Sequence, residues 1–492
     1  MKVYKIFALL LIFLLLFSGC RNDNQTQQAQ VYSFTAEQSN IFPFYCIGED
    51  DMLWRIERHG AYSLKKKVNY VSGSNELNFV RYLKEKDTVI FATNILVENG
   101  QTIADICQKN GQEQVKTIAE KIKLESLRLQ NNGDMLFVDE KDTLFFRRDG
   151  IVIKIEEGVA QSEFVNEETF LFRLKKGKEV DGEYLYPIYS ATGDYRNYMM
   201  DGLDILATDS VNGKAYIIKN KHTVQKRTAS CQVATLFVYA DGEILFELPS
   251  VVLSQFEQNK HIFVLTCNEN EPTLTYDLYR IDSSEAVLKA KNIIWGKYIS
   301  INRDVFAYET MENNIVKTNI IDYTDNLMAF LLGESCSLEN IYYCKGNIYI
   351  LEGNKFRALE NGKVSDVLLT DIDAVQNADT ALILFKRKTP PYEVLIFKDK
   401  MNVQTVGNIQ SNNVLYNYSN LYYYIGENND LCMSDANGKV TAFISNVDKQ
   451  IGFIAYDDTV AVAKYDDKTL HIATPWGILN ASLKIKKFVQ EV

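Results

Sequence analysis

One short segment recurs along this chain about every 41 residues, and a recurrence of that length restricts the fold more than any other feature. A polar turn is followed by four to six apolar, aromatic or β-branched residues, as in DDMLWRI, KDTVIFA, GDMLFVD, GNIYILE and DTVAVAK. The first apolar residue of each copy is Met52, Val89, Met135, Phe170, Ala215, Ile262, Val305, Ile348, Ala381, Leu421 and Val460. These eleven anchors span 408 residues, a mean spacing of 40.8 with single steps from 33 to 47. Segments such as ALILF and LYYYI are nearly continuous in apolar character, so they read as strands covered on both faces.

Each unit has room for four strands. Between Asn412 and Val447 they are VLYNY, LYYYIG, DLCMSDA and VTAFIS, separated by short polar turns. Asn-Gly begins at 99, 110, 132, 212, 361 and 437, and Asp-Gly at 149, 181, 201 and 241. That dipeptide supplies the two positive φ angles of a type I′ hairpin turn. Four antiparallel strands every 40 or so residues is the spacing of β-propeller blades, which stack face to face and bury their middle strands. The expected fold is therefore all-β, a propeller of about eleven four-stranded units. Propellers usually close with about four to eight blades. Two tandem rings, residues 41–250 and 251–492 with a join near Leu248 to Ser254, are the first expectation, and one larger propeller with insertions is the alternative. A helix competes only over Gln114 to Gln130, where Val115, Ile118, Ile122 and Leu129 approximate helical spacing.

The N-terminus carries an address. Lys2 and Lys5 precede an unbroken apolar run from Ile6 to Phe17, too short to span a membrane but suited to a signal-peptide core. Ser18-Gly19-Cys20 follows, and small residues directly before a cysteine resemble the lipobox of bacterial lipoproteins, although Phe17 stands where Leu is usual. The resemblance implies that residues 1–19 are a lipoprotein signal peptide and that Cys20 is acylated and becomes the mature N-terminus. The polar stretch RNDNQTQQAQ then reads as a flexible tether within 20–40. No later segment reaches 18 apolar residues, so the rest is expected on the extracytoplasmic face, held to the cell membrane through the lipid on Cys20.

Composition excludes several classes. With 46% hydrophobic and 12% aromatic residues the chain can bury a core, which excludes disorder. Asp and Glu number 64 against 53 Lys and Arg, a net charge of -11, so nucleic acid is not an expected partner. Removing residues 1–19 removes two lysines and no acid, leaving 473 residues at -13.

Over most of residues 40–485 the chain resembles bacterial lipoproteins with β-propeller repeats of the WD40-like, YWTD-like or six-bladed extracellular type. Periodicity carries that resemblance, since no unit shows Gly-His with Trp-Asp and no YWTD occurs.

Signatures of catalysis are missing. The only histidines are His59, His222, His261 and His471, and no GxSxG elbow, sialidase Asp-box or DxDxDG calcium loop occurs. Carboxylate pairs at Asp50-Asp51, Asp457-Asp458 and Asp466-Asp467 fall in turns, where they are solvated. Seven cysteines follow Cys20, an odd number without CxxC, and only Cys336 and Cys344 are close in sequence; the others read as small buried strand residues. No cofactor or metal is expected.

Tyrosine clusters are the remaining candidates for binding. Tyr416 and Tyr418 precede Tyr422, Tyr423 and Tyr424, and Tyr342 lies beside Tyr343 and Tyr349. Exposed tyrosines stack on sugars or anchor protein partners. The expected function is a non-catalytic binding or scaffold module for a protein or glycan. An envelope enzyme acting on carbohydrate or peptide, and a solute-binding lipoprotein of a transporter, are the alternatives.

Overall fold

The computed structural model describes residues 42–491 apart from short internal stretches, the longest being 69–78, 257–261, 333–336, 387–391, 410–415 and 435–439. The signal segment, Cys20 and the tether therefore lie outside the described residues.

Each apolar anchor of the repeat falls in or directly before a different strand, from Met52–Glu57 through Thr88–Glu98 and Asn347–Glu352 to Thr459–Ala463. The strands around them pair antiparallel, in sheets of four at 128–156, 341–369, 374–409 and 416–444. Eleven units result: 44–67, 80–123, 128–156, 159–202, 204–252, 263–298, 305–332, 341–369, 374–409, 416–444 and 453–488. The protein is an all-β propeller built of these repeats.

Apolar character on both faces of the anchor strands is explained by packing. Along Ala381–Phe385 every residue is buried: Leu382 and Leu384 face the core shared with unit 8, and Ala381, Ile383 and Phe385 face the core shared with unit 10. The same alternation runs through the molecule, giving eleven cores among the described residues, each built mainly on two successive units; the core of units 6 and 7 also takes in Val224, Val233 and Val252 of unit 5. A fully buried Leu or Phe contributes about 1.5–3 kcal/mol, so the interfaces between sheets carry most of the apolar stabilisation. One of the cores packs Ala461, Leu470 and Ile472 of the last unit on Phe44, Cys46 and Ile56 of the first. Backbone pairing seals that contact, with Cys46 opposite Phe488 and Ile47 opposite Lys487.

Polar residues in the turns that lead into strands also have a local cause. At Asp51, Asp142, Asn429 and Lys468 the backbone turns through φ of 63°, 66°, 59° and 58°. Asp and Asn tolerate this left-handed conformation better than most residues. In each turn the carbonyl of that residue accepts the N–H of a buried aliphatic downstream: Val68, Val159, Val447 and Ile485. One turn thus fixes where the following strand begins.

Two sequence expectations change. Gln114 to Gln130 is not helical: it forms the strand Lys116–Lys123, a single 3-10 turn at Leu124–Ser126 and the strand Arg128–Leu129. Register shifts opposite Ala104 to Cys107 and positive φ at Lys121 break the two-residue period, so Ile118 and Ile122 approximate helical spacing while lying on a bulged strand, and Leu129 lies on the next strand. Asp149-Gly150, Asp181-Gly182 and Asp241-Gly242 do adopt paired positive φ, but Asp201-Gly202 lies inside the strand Tyr195–Gly202. There a Cβ on Gly202 would come within 2.7 Å of Ile188 Cδ1, so close packing requires the glycine. The described residues contain no α-helix.

Ion pairs tie neighbouring elements where polar chains are buried. Asp142 accepts Lys123 from unit 2 and Lys175, at 2.6 Å, from unit 4. Asp448, buried, accepts Lys468 and the N–H of Gln450. Burial pushes its carboxyl up, but the Lys468 ammonium and the backbone donors outweigh it and hold it below the usual carboxylate range. A carboxylate depressed on folding stabilises above its unfolded value and loses that contribution as pH falls through the folded one. The wild type should therefore exceed Asp448→Asn in thermal stability near about pH 7, and the gap should shrink on acidification below about pH 4. A gap that is independent of pH in melting curves would remove the ionic explanation.

Candidate functional site

The first strands of units 3, 4 and 5, Arg128–Leu129, Val159–Phe164 and Asp204–Asp209, are each an edge of their sheet. Exposed edge hydrogen bonds invite pairing with other chains, and here side chains occupy them instead. The Gln161 amide donates to the Ile205 carbonyl at 2.8 Å and accepts the Ile205 N–H at 3.2 Å. Gln130 donates to the Asn166 carbonyl at 2.7 Å. Arg128 forks onto Glu163, Nε to Oε2 at 2.8 Å and Nη2 to Oε1 at 2.7 Å. That carboxylate raises the Arg128 guanidinium above its ordinary value, so the pair stays ionised and fixed.

These contacts frame a cavity of about 410 Å³. Its lining is rich in neutral hydrogen-bonding groups, among them Asn131, Asn132, Asn166, Thr208 and Ser210, with the Phe164 ring as an apolar element. A second cavity of about 340 Å³ adjoins it, and Asn166 lines both. Ser190, Thr192, Asn197 and Tyr195 face the second cavity from unit 4, and Tyr239 and Asp241 from unit 5. Tyr195 is 66% exposed and belongs to Tyr195–Gly202, the strand that pairs with Glu183–Thr192 at the outer side of unit 4. The backbone turn at Asn166 is held by its own side chain, which accepts the N–H groups of Glu168 and Thr169. Together the cavities form a polar groove across three units, with an aromatic platform at one end.

No family model and no curated protein sequence matches this chain. Likeness is to solved structures only. The β-propeller domain of the Trilobed protease from Pyrococcus furiosus is 12% identical over 65% of this chain and 94% of that one, with a TM-score of 0.26. An acylaminoacyl peptidase from Pyrococcus horikoshii is 14% identical over 65% of this chain and 51% of its own, also at 0.26. TolB from Acinetobacter baumannii is 11% identical over 51% and 61%, at 0.22. At such scores the fold assignment rests on strand order and shared cores, and nothing of those proteins' activities transfers.

The tyrosines singled out in the sequence lie elsewhere. Tyr342 is half-buried and packs against the core between units 8 and 9. Tyr416 and Tyr418 form a short strand, with Tyr416 opposite the buried Tyr423; their side chains lie outside the described residues. Tyr349 and Tyr424 are also buried, and Tyr424 donates to the Val406 carbonyl. Aromatic density marked cores because aromatic side chains fill the space between stacked sheets. Tyr195 and Tyr198, both exposed, had a fainter signal: YRNYMM lies just after Asp194 and alternates less cleanly than a core strand.

The other candidates are structural. Asp50 accepts the Met52 N–H and the Trp54 indole, Asp51 pairs with Lys486, and Asp467 accepts the Thr469 N–H. Asp457, Asp458, His59 and His261 lie outside the described residues. His471 is half-buried beside Thr469, and His222 bonds Glu269. Among the described residues no three His, Cys, Asp or Glu side chains form a metal-ligand group. Cys46, Cys107, Cys344 and Cys432 are buried, as small apolar strand residues should be; Cys336 is outside the described residues.

Proposed function

We propose that this propeller is a glycan-binding module, tethered to the extracytoplasmic face of a membrane through Cys20. The groove sharing Asn166 carries the first part of the reading. Amides and hydroxyls donate and accept at once, which matches sugar hydroxyls, and an exposed Tyr195 offers the flat apolar face on which a pyranose ring stacks. The one ionised pair in the wall, Arg128 with Glu163, is bound to itself and supplies fixed hydrogen bonding. A protein partner would favour a broader apolar surface than this lining provides.

Screening the chain on a glycan array and titrating the best binder should give saturable binding. Tyr195→Ala should weaken it about tenfold, in proportion to a lost stacking contact of about 1.5 kcal/mol. Binding that ignores Tyr195→Ala would displace the groove, and sugar cleavage on the same panel would favour the enzyme reading.

The lipobox resemblance supports the anchor. Cys20→Ala should abolish incorporation of labelled fatty acid and release the chain from the membrane fraction. Labelling that persists in the variant would refute the anchor while leaving the groove untouched.

A further inference from the structure

Unit 5 differs from its neighbours in its middle hairpin, Lys214–Gln225 with Ser230–Ala240, which continues past a register shift between Lys219 and His222. Beyond that shift the hairpin changes partners. Its inner half, with Tyr216, Ile218, Leu236 and Val238, fills the core between units 5 and 6, but Val224 and Val233 join the next core, shared by units 6 and 7. The tip therefore lies across unit 6.

A polar clasp holds it there. Glu269, just after the strand Phe263–Cys267, accepts Ser250 Oγ and bonds His222 Nε2 at 3.2 Å, and its carbonyl accepts Lys226 Nζ at 2.5 Å. Beneath the clasp, Cys231 of the hairpin packs against the core that contains Cys267, close enough for the two thiols to influence each other's ionisation. Cys46, Cys107, Cys344 and Cys432 belong to four separate cores, so this is the one thiol pair that packing brings together among the described cysteines.

We propose that Cys231 and Cys267 are an oxidisable pair whose disulfide staples the unit 5 hairpin onto unit 6. The oxidant is an external organic disulfide. Cys231, the more accessible of the two, loses its proton to water and its sulfur attacks the external disulfide. One external S–S bond breaks, one thiol leaves, and a mixed disulfide forms. The Cys267 sulfur then displaces the second external thiol, which carries away the remaining proton. Two protein S–H groups are thus exchanged for one S–S bond, and the oxidant gains two electrons as two thiols. Burial pushes the Cys267 thiol up to about 12, which disfavours it as the entering nucleophile and makes its attack on the mixed disulfide the slower step. The proposal is independent of the glycan and lipid readings.

Incubating the purified full chain with oxidised glutathione should lower the count of alkylatable thiols by two and the intact mass by two hydrogens. Peptide mapping should join the segment containing Cys231 to the one containing Cys267, and the melting temperature should rise by several degrees, reversibly with reductant. Cys231→Ser should lose both the mass change and the rise, whereas Cys107→Ser should retain them. Differential alkylation of the wild type before and after oxidation reads the same pair without any variant. A persistent glutathione adduct on Cys231 with Cys267 still alkylatable would overturn the proposal, as would a linkage of either cysteine to Cys336.

Discussion

Residues 41–250 and 251–492, produced as separate chains, should each fail to show a cooperative melting transition, while the intact chain unfolds cooperatively. The reason lies at two places. At the join near Leu248 to Ser254 the strand Glu243–Val252 pairs onward into unit 6, with Val251 opposite Thr266, and one sheet runs without a break through units 5, 6 and 7. The core beneath it mixes Tyr216, Ile218, Val238 and Leu248 with Val264 and Ile281. At the other end, the first unit depends on the last through Phe44, Cys46 and Ile56 against Leu470, Ile472 and Ile485. No core among the described residues joins unit 5 back to unit 1, or unit 6 to unit 11. Among the described residues the cores thus run from unit to unit in a single succession, with one core joining the last unit to the first. Cutting it opens two cores at once, each with about ten buried apolar side chains worth about 1.5–3 kcal/mol apiece, against a net folding stability of about 5–15 kcal/mol. Repeat units that contact only neighbours cannot replace such losses from elsewhere. Calorimetry and circular dichroism on both fragments, alone and mixed, would decide the matter. Two fragments with sharp, independent transitions would favour the tandem rings.

What the sequence revealed follows from the range of the interaction concerned. The period was legible because several units repeat the same local solution, a polar turn with positive φ followed by a largely buried strand, as at Asp51 and Met52 or Asp87 and Val89. Paired Asp-Gly turns were legible for the same reason, and Asp201-Gly202 was misread because its glycine answers to Ile188 across the sheet. How the eleven units connect was not legible: pairing of Cys46 with Phe488 joins the two ends of the chain, and no local pattern encodes it. The groove was hidden too. Asn166, Gln130 and Gln161 are ordinary loop and edge residues until three first strands converge, and the tyrosine clusters around the candidates Tyr416, Tyr418 and Tyr342 also contain Tyr423 and Tyr349, which are core. Spacing likewise offered Cys336 with Cys344, whereas packing joins Cys231 to Cys267.

Phe397→Ala should cost about 3–5 kcal/mol, among the largest effects of any single truncation in the molecule. Its ring, fully buried in Tyr392–Asp399 of unit 9, meets two rings of unit 8: Tyr349 at 4.9 Å and 79°, and Phe356 at 5.0 Å and 76°. Tyr349 and Phe356 are themselves stacked at 5.3 Å, so one deletion removes the shared edge of a three-ring cluster. Edge-to-face pairs add about 0.5–1.5 kcal/mol each beyond area burial. The cavity left behind cannot collapse easily, because Leu382 and Leu395 approach it from strands already fixed by the unit 9 ladder. Phe397→Leu, which keeps most of the volume but not the ring edge, should recover more than half of the loss. Because units touch mainly their neighbours, the damage should also be local. Amide exchange should rise first in 341–369 and 374–409, while the seam strands Phe44–Gly48 and Gly477–Phe488 keep their protection. Uniform loss of protection around the whole chain would instead show that the units open as one, and that the core between units 8 and 9 is no weaker a link than any other.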